Sequence, residues 1–155
     1  MSDDDQNEAV ARRARELFLS SGFNCAESVL LANMERLGVE GDWLPKVASG
    51  FGGGIARTGQ VCGALTGAVL ALGWAMGRSA SDDSVDELYG VGAELVDEFT
   101  SEFGSTSCRM LIDIDLRDPA QHKRALREGV FEKQCATFVE FCAARVADKL
   151  PGTQP

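Results

Sequence analysis

The sequence predicts an all-α fold, a single-domain bundle of about five to seven helices around a glycine-rich central helix. Three observations lead there. Apolar residues recur at three- and four-residue spacing in successive segments, which is the period of a helix with one buried face. No stretch alternates apolar and polar residues as a half-buried strand would. Only two of the four prolines precede Pro151, leaving long runs free of helix breakers. A chain of 155 residues with 45% hydrophobic and 25% charged residues is the size and composition of one ordinary globular domain.

The first helix is expected from about Gln6 to Ser20, with Val10, Ala14, Leu17 and Phe18 on its apolar face. Residues 1–5 read as a disordered acidic N-terminus, 6–150 as the helical domain, and 151–155 as a flexible tail. Asn24 is a good N-cap for a second helix over Cys25–Leu37, which Gly38 terminates. A short segment around Trp43 to Val47 leads into Ser49-Gly-Phe-Gly-Gly-Gly-Ile. That density of glycine predicts a loop with positive φ or a close backbone approach.

Thr58 is positioned to cap a third helix, roughly Gly59 to Met76. Gly59, Gly63 and Gly67 stand four apart and so share one face. Each internal glycine costs about 1 kcal/mol relative to alanine, so the ridge implies another helix packed close against it. The alternative for that face, together with the apolar helix after it, is a homodimer contact. A fourth helix is expected over Val85–Phe103, and Thr106 or Ser107 can cap a short one over Arg109–Ile112. Asp118-Pro119 opens another with proline at its first position, and a last helix runs from about Phe131 to Leu150.

A net charge of -9 argues against nucleic acid, because phosphate binding needs clustered Lys and Arg. It argues equally against an anionic membrane surface. Val61 to Met76 holds no charge, but about 16 residues fall short of the roughly 20 a membrane span needs. With no secretory pattern at Met1-Ser-Asp-Asp-Asp, a cytoplasmic protein without membrane insertion is expected.

Chemistry is expected at the cysteines: Cys25, Cys62, Cys108, Cys135 and Cys142. No CxxC pair is present, so neither a zinc ribbon nor a thioredoxin-like motif fits, and no CxxCH offers covalent haem attachment. His122 is the only histidine. Cys25, Cys62 and Cys108 fall at predicted helix starts, where unsatisfied N–H groups and the helix dipole favour the thiolate and lower its pKa. Cys135 and Cys142, seven apart on one helix, share a face about 10 Å apart and cannot pair with each other. The bland reading is that all five thiols are small core hydrophobes.

Around the cysteines stand Asn24-Cys25-Ala-Glu-Ser-Val-Leu, Ala48-Ser-Gly-Phe-Gly-Gly-Gly-Ile, Cys62-Gly-Ala-Leu-Thr-Gly67, Gly104-Ser-Thr-Ser-Cys108-Arg109, and Cys135 followed by Phe138-Val139. On these residues the sequence resembles the C_GCAxxG_C_C family of redox-active proteins, over about Asn24 to Val139. The resemblance implies a helical domain with a redox role, and it maps four family cysteines onto Cys25, Cys62, Cys108 and Cys135, leaving Cys142 structural.

Two functions are expected on this basis. The first is thiol–disulfide exchange or electron transfer with a redox partner protein. Cys62, beside Gly63 and downstream of the glycine loop, is the expected reactive residue. The second is a binding module in which Cys25, Cys62, Cys108 and Cys135 ligate an iron–sulfur cluster or zinc, with the backbone of Gly52, Gly53 and Gly54 close to the cofactor. The glycine loop lacks the P-loop pattern and no strand precedes it, so nucleotide is not expected. Arg57 beside it is a candidate for an anion or a solvated side chain. Asp113, Asp115, Arg117 and Asp118 read as an exposed, salt-bridged loop.

Overall fold

The computed structural model describes residues 2–150. It is all-α, with α1 (Asp3–Leu19), α2 (Cys25–Arg36), α3 (Trp43–Ser49), α4 (Gly63–Met76), α5 (Asp86–Phe103), α6 (Cys108–Ile112), α7 (Pro119–Glu128) and α8 (Ala136–Lys149). A π-helical turn, Phe131–Cys135, runs directly into α8. The helix in excess of the expected number is α3, because the segment around Trp43 makes about two turns. The tail expected at 151–155 lies outside the described residues.

Local chemistry explains the helix starts. Helix α1 begins at Asp3, not Gln6, because Ser2 and Asp5 form a reciprocal capping box. Residues 3–5 are therefore its first turn, a correction to the disordered N-terminus. Asn24 and Glu27 form a second capping box at α2. Asp118 caps α7, with Pro119 in its first turn.

Helix α4 begins four residues later than the sequence suggests. Thr58 does not cap it, because its hydroxyl donates backwards to the carbonyls of Gly54 and Ile55. Gly59 consequently lies in the loop, with φ +73° and its α-carbon beside Arg109. Only Gly63 and Gly67 form the small-residue face of α4, and α2 occupies it. A Cβ on Gly67 would collide with the carbonyl oxygen of Ala26 and stand 2.8 Å from its Cα. That face is thus consumed inside the subunit and is not available for a homodimer contact.

The most widely packed helices are α2 and α8 rather than the glycine-bearing α4. Helix α8 packs against α1, α2, α4, α5 and the π turn, and α2 packs against α1, α3, α4 and α8, whereas α4 meets only α2, α5 and α8 closely. Buried Asn33 ties the two central helices, donating from Nδ2 to the carbonyls of Val29 and Ala143. At the α5–α8 seam Phe99 is fully buried, with the Phe103, Phe138 and Phe141 rings 4.9, 5.9 and 6.1 Å from its own. Among the described residues no helix is long and apolar enough to cross a membrane.

The π turn sets the orientation of the C-terminal segment. The Ala136 N–H reaches back five residues to the carbonyl of Phe131, where an α-helix would reach four. The wider turn shifts the register of Phe131 relative to α8, whereas Cys135 and Cys142 are joined by α-helical backbone and keep the shared face the sequence predicts. Cys135 lines a cavity with Phe131, while Cys142 is fully buried in the core.

Candidate functional site

The four mapped cysteines come from four different segments, and specific backbone contacts bring each one in. Residues 60–62 and 106–108 make a minimal antiparallel ladder: Cys62 N–H donates to Thr106 O at 2.8 Å and Cys108 N–H to Gln60 O at 2.7 Å. Side chains alternate across such a ladder. Val61 and Ser107, its opposed pair, point one way, and Cys62 and Cys108 therefore both point the other, into the protein. Cys25 is the first helical residue after Asn24, whose Nδ2 donates to the Ser49 carbonyl and fixes the end of α3 against the start of α2. Cys135 enters from the π turn.

The glycine loop closes over these residues in an unusual conformation. Gly53, Gly54, Ile55, Ala56 and Arg57 all have φ between 50° and 69°, five consecutive residues on the left-handed side of backbone space. Three of them carry side chains, at a cost of about 1–2 kcal/mol each. Backbone hydrogen bonds hold the turn, among them Ala56 N–H to Gly50 O at 2.9 Å and Gln60 N–H to Gly54 O at 2.8 Å. The missing side chains let it approach: a Cβ on Gly52 would press on Asn24, and one on Gly54 would stand 2.6 Å from the Cys108 Cβ. From the other side, a Cβ on Gly63 would stand 2.9 Å from Cys25 Sγ.

Between the loop and helices α1, α6 and α7 lies a cavity of about 470 Å³. Cys25, Cys108 and Cys135 open onto it, and Phe18, Ile112, Leu116 and Phe131 supply apolar walls. Gly52 and Gly53 line it as the sequence suggests, while Gly54 is buried behind it. Cys62, the residue expected to react, is buried and does not line the cavity. Cys25 is the exception to the burial of the other four thiols. Sequence reasoning missed His122 and Phe131 as lining groups. Their rings stack edge-to-face with centroids 6.0 Å apart, an arrangement between α7 and the π turn that no local pattern announces.

Electrostatics reverse the expectation of depressed thiol pKa values. Burial pushes Cys25 up, opposed by the N–H groups of Gly53, Cys25 itself, Ala26 and Ala64, which favour its thiolate. Cys108 is pushed up to about 11, by burial first and then by the neighbouring Cys25. Cys62 and Cys135 rise further for the same two reasons, and Cys142 rises by burial above all. Cys25, Cys62 and Cys108 do stand at helix N-termini, but withdrawal from water outweighs the dipoles there. Cys25 is the neighbour whose charge acts most on each of Cys62, Cys108 and Cys135.

Among the described residues no three cysteine, histidine or carboxylate side chains are gathered so that one ion could be held. Of the loop read as exposed and salt-bridged, Asp113 and Arg117 are exposed, Asp115 pairs with Arg109 at 3.2 Å, and Asp118 caps α7.

The family described as "Putative redox-active protein (C_GCAxxG_C_C)" matches residues 23–149. An "Uncharacterized protein" of Archaeoglobus fulgidus is 38% identical over 68 residues, which cover 43% of this chain and 44% of that protein. The match thus spans less than half the length of this curated relative. No solved structure matches.

Proposed function

The chain belongs to the C_GCAxxG_C_C family, described as redox-active, and from that premise we propose that it performs thiol–disulfide exchange with Cys25 as the attacking sulfur. The observation that carries the proposal is the position of Cys25. It is the half-buried thiol, it opens onto the cavity, and it neighbours each of the other three family cysteines. Backbone N–H groups from the glycine loop and from the starts of α2 and α4 surround its sulfur and stabilise the thiolate once it forms.

In this exchange the Cys25 thiol gives up its proton and attacks one sulfur of a partner disulfide. The second partner sulfur leaves as a thiolate and is protonated. Cys108 or Cys135, both open to the same cavity, then attacks Cys25 Sγ and releases the first partner sulfur as a second thiol. Two electrons and two protons pass from the chain to the partner, and one internal disulfide remains. Burial outweighs the N–H groups and leaves every one of these thiols harder to ionise. No net thiolate stabilisation therefore favours the reduced form, and the couple should lie toward the reducing end of protein dithiols.

Mild oxidation of anaerobically purified protein tests this, with thiol titration and mass mapping of the product. Two thiols should be lost reversibly, with Cys25 in the disulfide. The Cys25→Ser variant should form no internal disulfide, and Cys142→Ala should still form one. Five thiols unchanged by oxidant, or iron or zinc bound in stoichiometric amount by these cysteines, would overturn the proposal.

A further inference from the structure

The cavity in front of Cys25 is more selective than a generic thiol site. None of its lining residues is acidic, although the chain carries 24 Asp and Glu against 15 Lys and Arg. Its polar groups include Arg57 and His122. Arg57 takes part in none of the salt bridges among the described residues. Glu27 accepts from the Asn24 N–H on one oxygen and from the Ser49 hydroxyl on the other, so both are engaged. Glu132 lies near Cys135 but does not line the cavity. Arg109, on the far side of Cys108, is already paired with Asp115.

Depth matters as well as charge. Cys25 is half-buried and lines the cavity, so a partner sulfur must enter the cavity to reach it. A disulfide held on a folded protein surface brings its backbone with it and meets the loop before its sulfurs reach Cys25. A small molecule has no such obstacle, and the apolar walls match a short hydrocarbon spacer beside its sulfurs.

We infer that the substrate class is a low-molecular-weight disulfide bearing a carboxylate, which Arg57 receives at the cavity mouth while its sulfurs meet Cys25. This rests on the thiol–disulfide reading above and names the partner for it. The small disulfide takes two electrons and two protons and leaves as two thiols. The internal disulfide of the chain is returned to thiols by an external dithiol reductant, which is itself oxidised to a disulfide.

Three small disulfides of similar length separate the outcomes: dithiodipropionate (anionic), bis(2-hydroxyethyl) disulfide (neutral) and cystamine (cationic). Reduced full-length protein is mixed with each at low salt and neutral pH, and the internal disulfide is measured over time. Each rate is taken relative to that of a free small thiol. On that scale the anionic compound should react about five-fold faster than the neutral one, the effect of a single unit charge at contact distance, and the cationic one slower still. The preference should shrink in high salt. Arg57→Gln should narrow the ratio toward one, and Arg57→Lys should restore most of it. Equal rates for the three, or a faster cationic compound, overturn the inference while Cys25 chemistry stands. No reaction with any of them, in protein that still forms its internal disulfide with another oxidant, also overturns it. Thiols inert to every oxidant overturn the exchange reading itself.

Discussion

The contact between α2 and α4 can be tested with two alanines placed less than two turns apart on one helix. Gly67 and Gly73 are both interior to α4, so each replacement gains about 1 kcal/mol of helix propensity. At Gly73 nothing lies within 4 Å of the new Cβ, and that gain is realised. At Gly67 the new Cβ meets the Ala26 carbonyl oxygen, with Ala26 Cα at 2.8 Å and its carbonyl carbon at 3.0 Å. All three atoms are backbone and cannot rotate aside. Overpacking of this kind costs about 3 kcal/mol, which leaves Gly67→Ala about 2 kcal/mol less stable than the parent. For a domain of this size 1 kcal/mol shifts Tm by about 2–4 °C. Thermal unfolding monitored by far-ultraviolet circular dichroism, under reducing conditions, should therefore show Gly73→Ala raised by a few degrees and Gly67→Ala lowered by about 4–8 °C. A Gly67→Ala protein as stable as Gly73→Ala would refute the close approach of the two helices.

Phe99→Ala removes the ring at the centre of the α5–α8 aromatic cluster and should cost about 3–5 kcal/mol in urea denaturation. Asn24→Ala opens the α2 capping box and breaks the bond to Ser49. It should cost about 1–2 kcal/mol and also slow disulfide formation at Cys25, read in the oxidation assay. Stability should be flat from pH 6 to 8 and fall as pH rises past the ordinary thiol range. The buried thiols hold their protons in the folded state and lose them more easily when unfolded, so their contribution is complete below the unfolded pKa. It then declines at up to about 1.4 kcal/mol per pH unit for each thiol, for Cys108 until about pH 11. Denaturation midpoints from pH 7 to 10 check this, and Cys108→Ala should have a shallower decline.

Much of the fold was readable where the signal is local. The Asn24 cap, the Asp118-Pro119 start and the apolar periodicity of α1 and α5 all give the observed helices. Errors arose where a side chain had two local options. Thr58 could cap forwards or bond backwards, and the left-handed turn, which no propensity announces, draws it backwards. The gathering of the cysteines was legible only through the family resemblance, because their contacts run between distant segments. Which cysteine is the least buried was not legible. Cys62 and Cys25 both begin helices beside small residues, and only the packed structure buries one and opens the other. The same burial decides the sign of the pKa shifts, since it outweighs a dipole that the sequence does reveal.

The π turn before α8 has a consequence for how this chain tolerates insertion and deletion. It is one residue more than an α-helical turn would hold, and it lets a single continuous rod serve two compartments, with Phe131 and Cys135 on the cavity and Phe138, Val139 and Cys142 in the core. Deleting one residue within 131–135 would restore a regular helix and rotate the segment N-terminal to it by about 100° relative to α8. The core half and Cys135, which is continuous with it, would keep their places, yet Phe131 would leave the cavity. A single codon lost there would leave a folded protein whose cavity lacks one apolar wall.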